Sequence, residues 1–99
     1  MAHEIEFAAS VQAHLECLTA GERVIALDAI ARRLTHEPLV EARNRKPLRP
    51  NPIAPWELRI GALRVFYEVV PHEGGAVRIL AIGKKTGSVL HIGGQAIKL

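Results

Sequence analysis

Polar and apolar residues alternate from His3 to Phe7, which places Ile5 and Phe7 on one side of a short strand. The period then lengthens. Val11, Leu15 and Leu18 recur at spacings of four and three, forming one helical stripe with Gln12 and Glu16 turned outward. Thr19, Ala20, Gly21 and Glu22 form a capping-box pattern, in which the threonine hydroxyl accepts from a free amide and the glutamate reaches back. A second helix is predicted from this box to near His36, ahead of Pro38. Its buried face is expected to carry Val24, Leu27, Ala31 and Leu34, widened by Ile30, with Asp28, Arg32 and Arg33 solvated. The two helices form a hairpin.

Periodicity fails between Pro38 and Pro55, where prolines stand at 38, 47, 50, 52 and 55 and basic residues at 43, 45, 46 and 49. No regular element is predicted there. Proline limits the freedom of the chain, so the expectation is an ordered, extended loop presenting Arg43, Arg45, Lys46 and Arg49. Period two returns with Trp56–Ile60 and Leu63–Val70, separated by Gly61-Ala62 in a tight hairpin. Residues 71–75 make the next turn and residues 77–82 a third strand. Gly83 to Gly87 breaks the pattern, residues 88–92 resume it, Gly93-Gly94 turns again, and residues 96–99 form a short tail strand.

Alternation sorts these strands into two faces. Trp56, Leu58, Ile60, Leu63, Val65, Tyr67 and Val69 point one way, while Glu57, Arg59, Arg64, Phe66 and Glu68 point the other, with Arg78 joining them. The third strand is not clean, because Leu80 and Ile82 share the parity of Arg78, a sign of a bulge or of deep burial. The expected fold is α+β. An N-terminal strand is followed by a two-helix hairpin, packed on the apolar face of a mainly antiparallel sheet of about four or five strands. Residues 1–99 are read as one domain.

Composition narrows the class. Apolar residues make up 48% and charged residues 23%, the balance of a folded globular chain and not of a disordered one. No apolar run approaches the roughly 18 residues that suggest a membrane span. Acids at Glu4 and Glu6 replace the basic start of a secretory signal, so the expected location is cytoplasmic, with no membrane partner. The net charge of +3 hides an asymmetry. Residues 1–42 hold three basic against seven acidic side chains, and residues 43–99 hold ten against three, giving −4 and +7. A basic half favours a polyanionic partner, against the plainer reading of a solvated surface.

Candidate chemistry is sparse outside that half. Cys17 has no second cysteine to pair with and is read as an inert helix residue; a nucleophilic role would rest on His14 three positions away. The histidines at 3, 14, 36, 72 and 91 have no metal-ligand spacing, and no cofactor or metal is expected. Residues 83–87, Gly-Lys-Lys-Thr-Gly, lack the Walker spacing and precede a strand, which excludes a nucleotide loop. Lys84 and Lys85 there fit phosphate contacts and a solvated turn equally well. Glu57 and Glu68 lie beside arginines on the sheet and read either as cross-strand ion pairs or as proton acceptors. His91, on the strand that follows, reads as a structural residue or as a proton donor.

The string from Arg43 to Pro52, the stretch Pro55-Trp56-Glu57-Leu58-Arg59-Ile60-Gly61-Ala62-Leu63-Arg64-Val65-Phe66-Tyr67-Glu68-Val69 and the run from Val77 to Lys85 together resemble the RelE/ParE superfamily of bacterial toxins. The order of strand, helix hairpin and antiparallel sheet is similar to that family's microbial-RNase-like fold, over nearly the whole chain. The resemblance implies the toxin of a type II toxin-antitoxin system, held in a hetero-oligomer by a cognate antitoxin. RelE-like members cut messenger RNA on the ribosome without a metal, whereas ParE-like members poison DNA gyrase. A third alternative is an antitoxin- or RNA-binding module that has lost catalysis.

On the RelE-like reading, the RNA 2′-hydroxyl attacks the adjacent phosphate, giving a 2′,3′-cyclic phosphate and a 5′-hydroxyl. The resemblance places Arg64 on the family's arginine after the hairpin turn and Lys85 on its later basic position. It places His91 where many members carry a catalytic tyrosine or another polar residue, and Glu57 and Arg59 near the base positions. The expected roles are proton acceptor for Glu57, charge stabilisation for Arg64, Lys85 and Arg59, and proton donor for His91. Arg43, Arg45, Lys46, Arg49 and Lys84 are the expected RNA-phosphate contacts, the loop residues alternatively meeting an acidic antitoxin tail. Nuclease members carry more lysines before the turn, and Glu57 replaces at least one.

Overall fold

A computed structural model describes residues 3–71 and 75–98. The expected turn over residues 71–75 falls partly, and the last residue of the expected tail strand wholly, outside them. The chain runs β1 (Glu4–Phe7), α1 (Val11–Glu16), α2 (Ala20–Arg33), β2 (Arg45–Pro47), β3 (Trp56–Ile60), β4 (Leu63–Val70), β5 (Ala76–Thr86), β6 (Val89–Ile92) and β7 (Gln95–Ile97). The strands form one sheet ordered β2-β3-β4-β5-β6-β7, and β1 pairs with β5 in parallel. All other pairings are antiparallel. No helix among the described residues is long and apolar enough to cross a membrane.

The capping box forms as expected: Thr19 Oγ1 accepts from the Glu22 amide at 3.1 Å, and Glu22 Oε1 accepts from the Thr19 amide at 2.9 Å. The face that α2 buries differs from the expectation. Ala26, Ala29 and Ile30 are buried with Leu34, while Val24 is 67% and Leu27 39% exposed, and Ala31 is exposed too. Residues 24–27 and 29–31 are all apolar, so periodicity leaves the helix rotation open. The alanines settle it by letting α2 approach the sheet closely.

Leu58, Val65, Tyr67, Val77, Ile79 and Ile82 pack beneath the helices in the main core. Tyr67 stacks against Trp56 and donates its hydroxyl to the Pro38 carbonyl, closing the segment after α2 over the core. Burial holds its phenol well above the usual range, so it stays neutral.

Three sheet features depart from the expectation. A register shift between Phe66 and Tyr67 leaves Leu80 without a partner, so that Val77 and Ile79 face the helices, Ala81 faces away and Ile82 returns inward. This bulge explains the mixed parity. Arg45–Pro47 pairs with Trp56–Leu58 inside the proline-rich segment, where no element was expected. β5 also runs straight through the expected break to Thr86, because Gly83 lets β6 lie close. A Cβ at Gly83 would stand 2.5 Å from the His91 carbonyl oxygen and 2.8 Å from Ile92 Cγ1. Gly83→Ala is expected to cost about 1–3 kcal/mol. Urea unfolding checks it, and an unchanged midpoint would count against this close approach.

The proline-rich segment is not simply splayed into solvent. Leu48, Ile53 and Ala54 pack with Phe66, Leu80 and Ala81 on the sheet face away from the helices. Asn51 organises the turn, its Nδ2 donating to the Arg49 and Ala54 carbonyls and its Oδ1 accepting from the Ile53 and Ala54 amides. One end of the outer face is thereby covered. The other end is open.

Candidate functional site

That open end is built by the β3–β4 hairpin and the β5–β7 meander. In the β3–β4 ladder Arg59 stands directly across from Arg64, and Glu57 across from Phe66. Gly61 takes the left-handed φ of +57° that the tight turn requires, and the Lys85 amide donates to the Ala62 carbonyl at 2.7 Å, bringing Lys85 beside the turn. Glu57, Arg59, Arg64 and Lys85 line one cavity of about 320 Å³, together with Ser88, Leu90, Ile97 and Lys98. Four of the five residues expected to be catalytic therefore meet in one place.

Their contacts are unequal. The Glu57 side chain is only 7% exposed and holds Arg59 Nε at 2.8 Å. Arg64 Nη1 donates to the Gly61 and Leu63 carbonyls at 2.7 and 2.9 Å, which fixes one end of its guanidinium at the cavity wall. Neither Arg64, Lys85 nor Lys98 has a carboxylate partner among the described residues. Among the described residues one carboxylate thus faces four cations, a balance suited to an anion.

His91 is placed elsewhere. Leu90 and Ile92 occupy the outer face of β6, so the intervening His91 points to the helix side, across from Lys84. There it lines a separate cavity of about 170 Å³ with His14, Cys17 and Gly94. Lys84 shares that side and pairs with Glu22 at 2.5 Å, tying the start of α2 to β5. The Lys84 ammonium, ahead of the Thr19 amide, holds the Glu22 carboxyl below its usual range. Two adjacent lysines in one strand point to opposite faces, so only Lys85 reaches the open cavity.

The other residues considered for phosphate contact also divide. Arg45 is committed internally, donating to the Val40 and Arg33 carbonyls at 2.9 Å each. Arg43 and Arg49 are exposed, and Lys46 stands across from Glu57 in the β2–β3 ladder. Glu68 lines the groove beside the proline-rich segment, and Arg78 faces Glu6 at 3.6 Å, so neither joins the cavity. Among the described residues no group of histidine, cysteine and acidic side chains is placed to hold a metal.

Sequence reasoning missed Ser88, Leu90, Ile97 and Lys98 as cavity residues. The Gly93-Gly94 turn was the available signal, since a hairpin there folds β7 back along β6 and sets Ile97 beside Leu90.

His14 has a structural role. β1 and β6 flank the same side of β5 and leave a gap between Ile79 and Gly83, where the Ile82 amide donates to His14 Nδ1 at 3.3 Å. Accepting that bond needs a neutral ring, and burial lowers its pKa below 6.5. The unfolded chain therefore takes up a proton first as pH falls. The stability contribution is complete above pH 6.5 and is lost as pH drops from there toward the lowered value. Denaturant unfolding at a series of pH values is expected to show this decline, and His14→Gln is expected to flatten it.

No protein-family model matches the chain, and no curated protein sequence matches it. Among solved structures it is similar to a chain of the toxin-antitoxin complex RelBE2 from Mycobacterium tuberculosis, with a TM-score of 0.67 and 26% identity. The match covers 86% of this chain and 100% of that one. The fold is RelE-like. In this RelE-like fold the helices cover one sheet face, as expected, and the cationic cavity opens on the other.

Proposed function

We propose that this RelE-like protein is the toxin of a type II toxin-antitoxin system and a metal-independent, ribosome-dependent messenger-RNA endoribonuclease. The observation that carries this reading is the convergence of Glu57 with Arg59, Arg64, Lys85 and Lys98 in one open cavity. Glu57 takes the proton of the 2′-hydroxyl as that oxygen attacks the adjacent phosphorus. Arg64, Lys85 and Arg59 stabilise the negative charge that builds on the phosphorane. The bond to the 5′-oxygen then breaks, and the Lys85 ammonium, which lines this cavity as His91 does not, supplies its proton. The products are a 2′,3′-cyclic phosphate and a 5′-hydroxyl. Arg43, Lys46 and Arg49 position the protein on RNA phosphates through salt-sensitive contacts.

A cognate antitoxin, in a cytoplasmic complex, is the proposed protein partner, by analogy with the complex in which the similar chain occurs. The exposed stripe of Val24, Leu27 and Ala31 continues into an apolar groove with Phe7, Val11 and Leu15, a surface suited to a partner.

Inducible expression with mapping of RNA ends tests the function. Growth arrest with 5′-hydroxyl ends at ribosome-occupied codons is the expected result. Growth arrest with intact messenger and impaired gyrase supercoiling would replace it with the gyrase reading, favoured by the displacement of His91. Unimpaired growth would leave a binding module.

A further inference from the structure

The cavity has a second wall that phosphate chemistry does not use. Leu90 and Ile97 are direct partners in the β6–β7 ladder, so their side chains lie together as one aliphatic surface beside Lys85. Lys98, immediately after β7, adds an ammonium at the same rim. The volume, about 320 Å³, lies at the lower end of ligand cavities, which run from about 300 to 1,000 Å³. Such a space suits one nucleotide and not a folded RNA element. A planar base needs an apolar surface, and its phosphate needs unpaired cations; the cavity offers both on adjoining walls.

We propose that β7 completes a single-nucleotide subsite, in which the Leu90–Ile97 surface takes the base and Lys98 contacts a flanking phosphate. The inference rests on the RNA-directed reading of this cavity but does not depend on cleavage. It gives the last strand a part in recognition, because without β7 the cavity would lose Ile97 from its apolar wall and one of its four cations. Among the described residues no aromatic ring lines the cavity, so the base is held by aliphatic contact, without the ring stacking of many single-strand binders. Weak discrimination among the four bases follows.

Binding of an uncleavable trinucleotide, triadenylate with 2′-deoxyribose at its first two positions, tests this on the intact protein by titration calorimetry at several salt concentrations. Lys98→Ala is expected to reduce the slope of log affinity against log salt by about 0.7, the increment for one phosphate contact on a single strand. Arg32→Ala, a surface charge on α2, is expected to leave the slope unchanged. Removing the three bases one at a time is expected to weaken binding about five- to tenfold at one position only. Ile97→Ser is expected to erase that difference, and Ile97→Val to keep it. The proposal is overturned if the wild type does not bind, if Lys98→Ala keeps the full slope, or if all three bases matter equally. Intact binding behaviour in a protein that cuts no messenger would remove the nuclease reading and leave the subsite standing.

Discussion

Arg64→Ala is expected to lower messenger cleavage about 10²- to 10³-fold in the chemical step, the effect of removing one well-placed donor to a developing oxyanion. The geometry gives the reason. The Gly61 and Leu63 carbonyls hold one end of the guanidinium, so its direction is set before substrate arrives. Arg59 stands across the ladder but is already engaged by Glu57, and Lys85 approaches from β5, so neither takes over the vacated position. Single-turnover cleavage on purified ribosomes measures this, with a thermal melt to show an intact fold. Arg43→Ala is expected to weaken association and leave the chemical step nearly unchanged, and His91→Ala to have little effect on that step. Equal cleavage by the Arg64 and Arg43 variants would show the site to be misassigned.

Glu57→Gln is expected to cost about 10²- to 10⁴-fold, the range for losing a positioned general base. The substitution keeps the shape of a nearly buried side chain and removes the charge that accepts the proton. The competing account makes Glu57 only the ionic partner of Arg59. These accounts separate cleanly, because the glutamine oxygen can still accept from Arg59 Nε, so weakening the pair alone would leave the rate near that of the wild type. Wild-type cleavage by Glu57→Gln would therefore reduce Glu57 to a structural ion pair and move the proton acceptor elsewhere.

Much of this site is legible in the chain before it folds. Period two alone puts Glu57, Arg59 and Arg64 on one side of a hairpin, and Gly61-Ala62 fixes the turn that joins the strands. Lys85 was legible only through resemblance, because its neighbour Lys84 is the same residue type in the same glycine-flanked segment. The two differ by parity in a strand that was expected to end at the glycines. The side that His91 faces was illegible for the same reason: it depends on the register of β6, which no residue within β6 announces.

The order of elements, the capped start of α2, the β3–β4 hairpin and the identity of its charged face can be read from the chain alone. These rest on local signals, such as side-chain alternation and turn or cap chemistry, acting within a few residues. Long-range packing sets which stripe of α2 is buried, how the bulge at Leu80 resets β5, and that the proline-rich segment packs behind the sheet. It also decided that β7 brings Ile97 and Lys98 to the cavity while Lys84 and His91 turn to the helices. Those outcomes depend on side-chain volume and strand register between segments far apart in the chain, where one residue of slip exchanges the two faces of a strand.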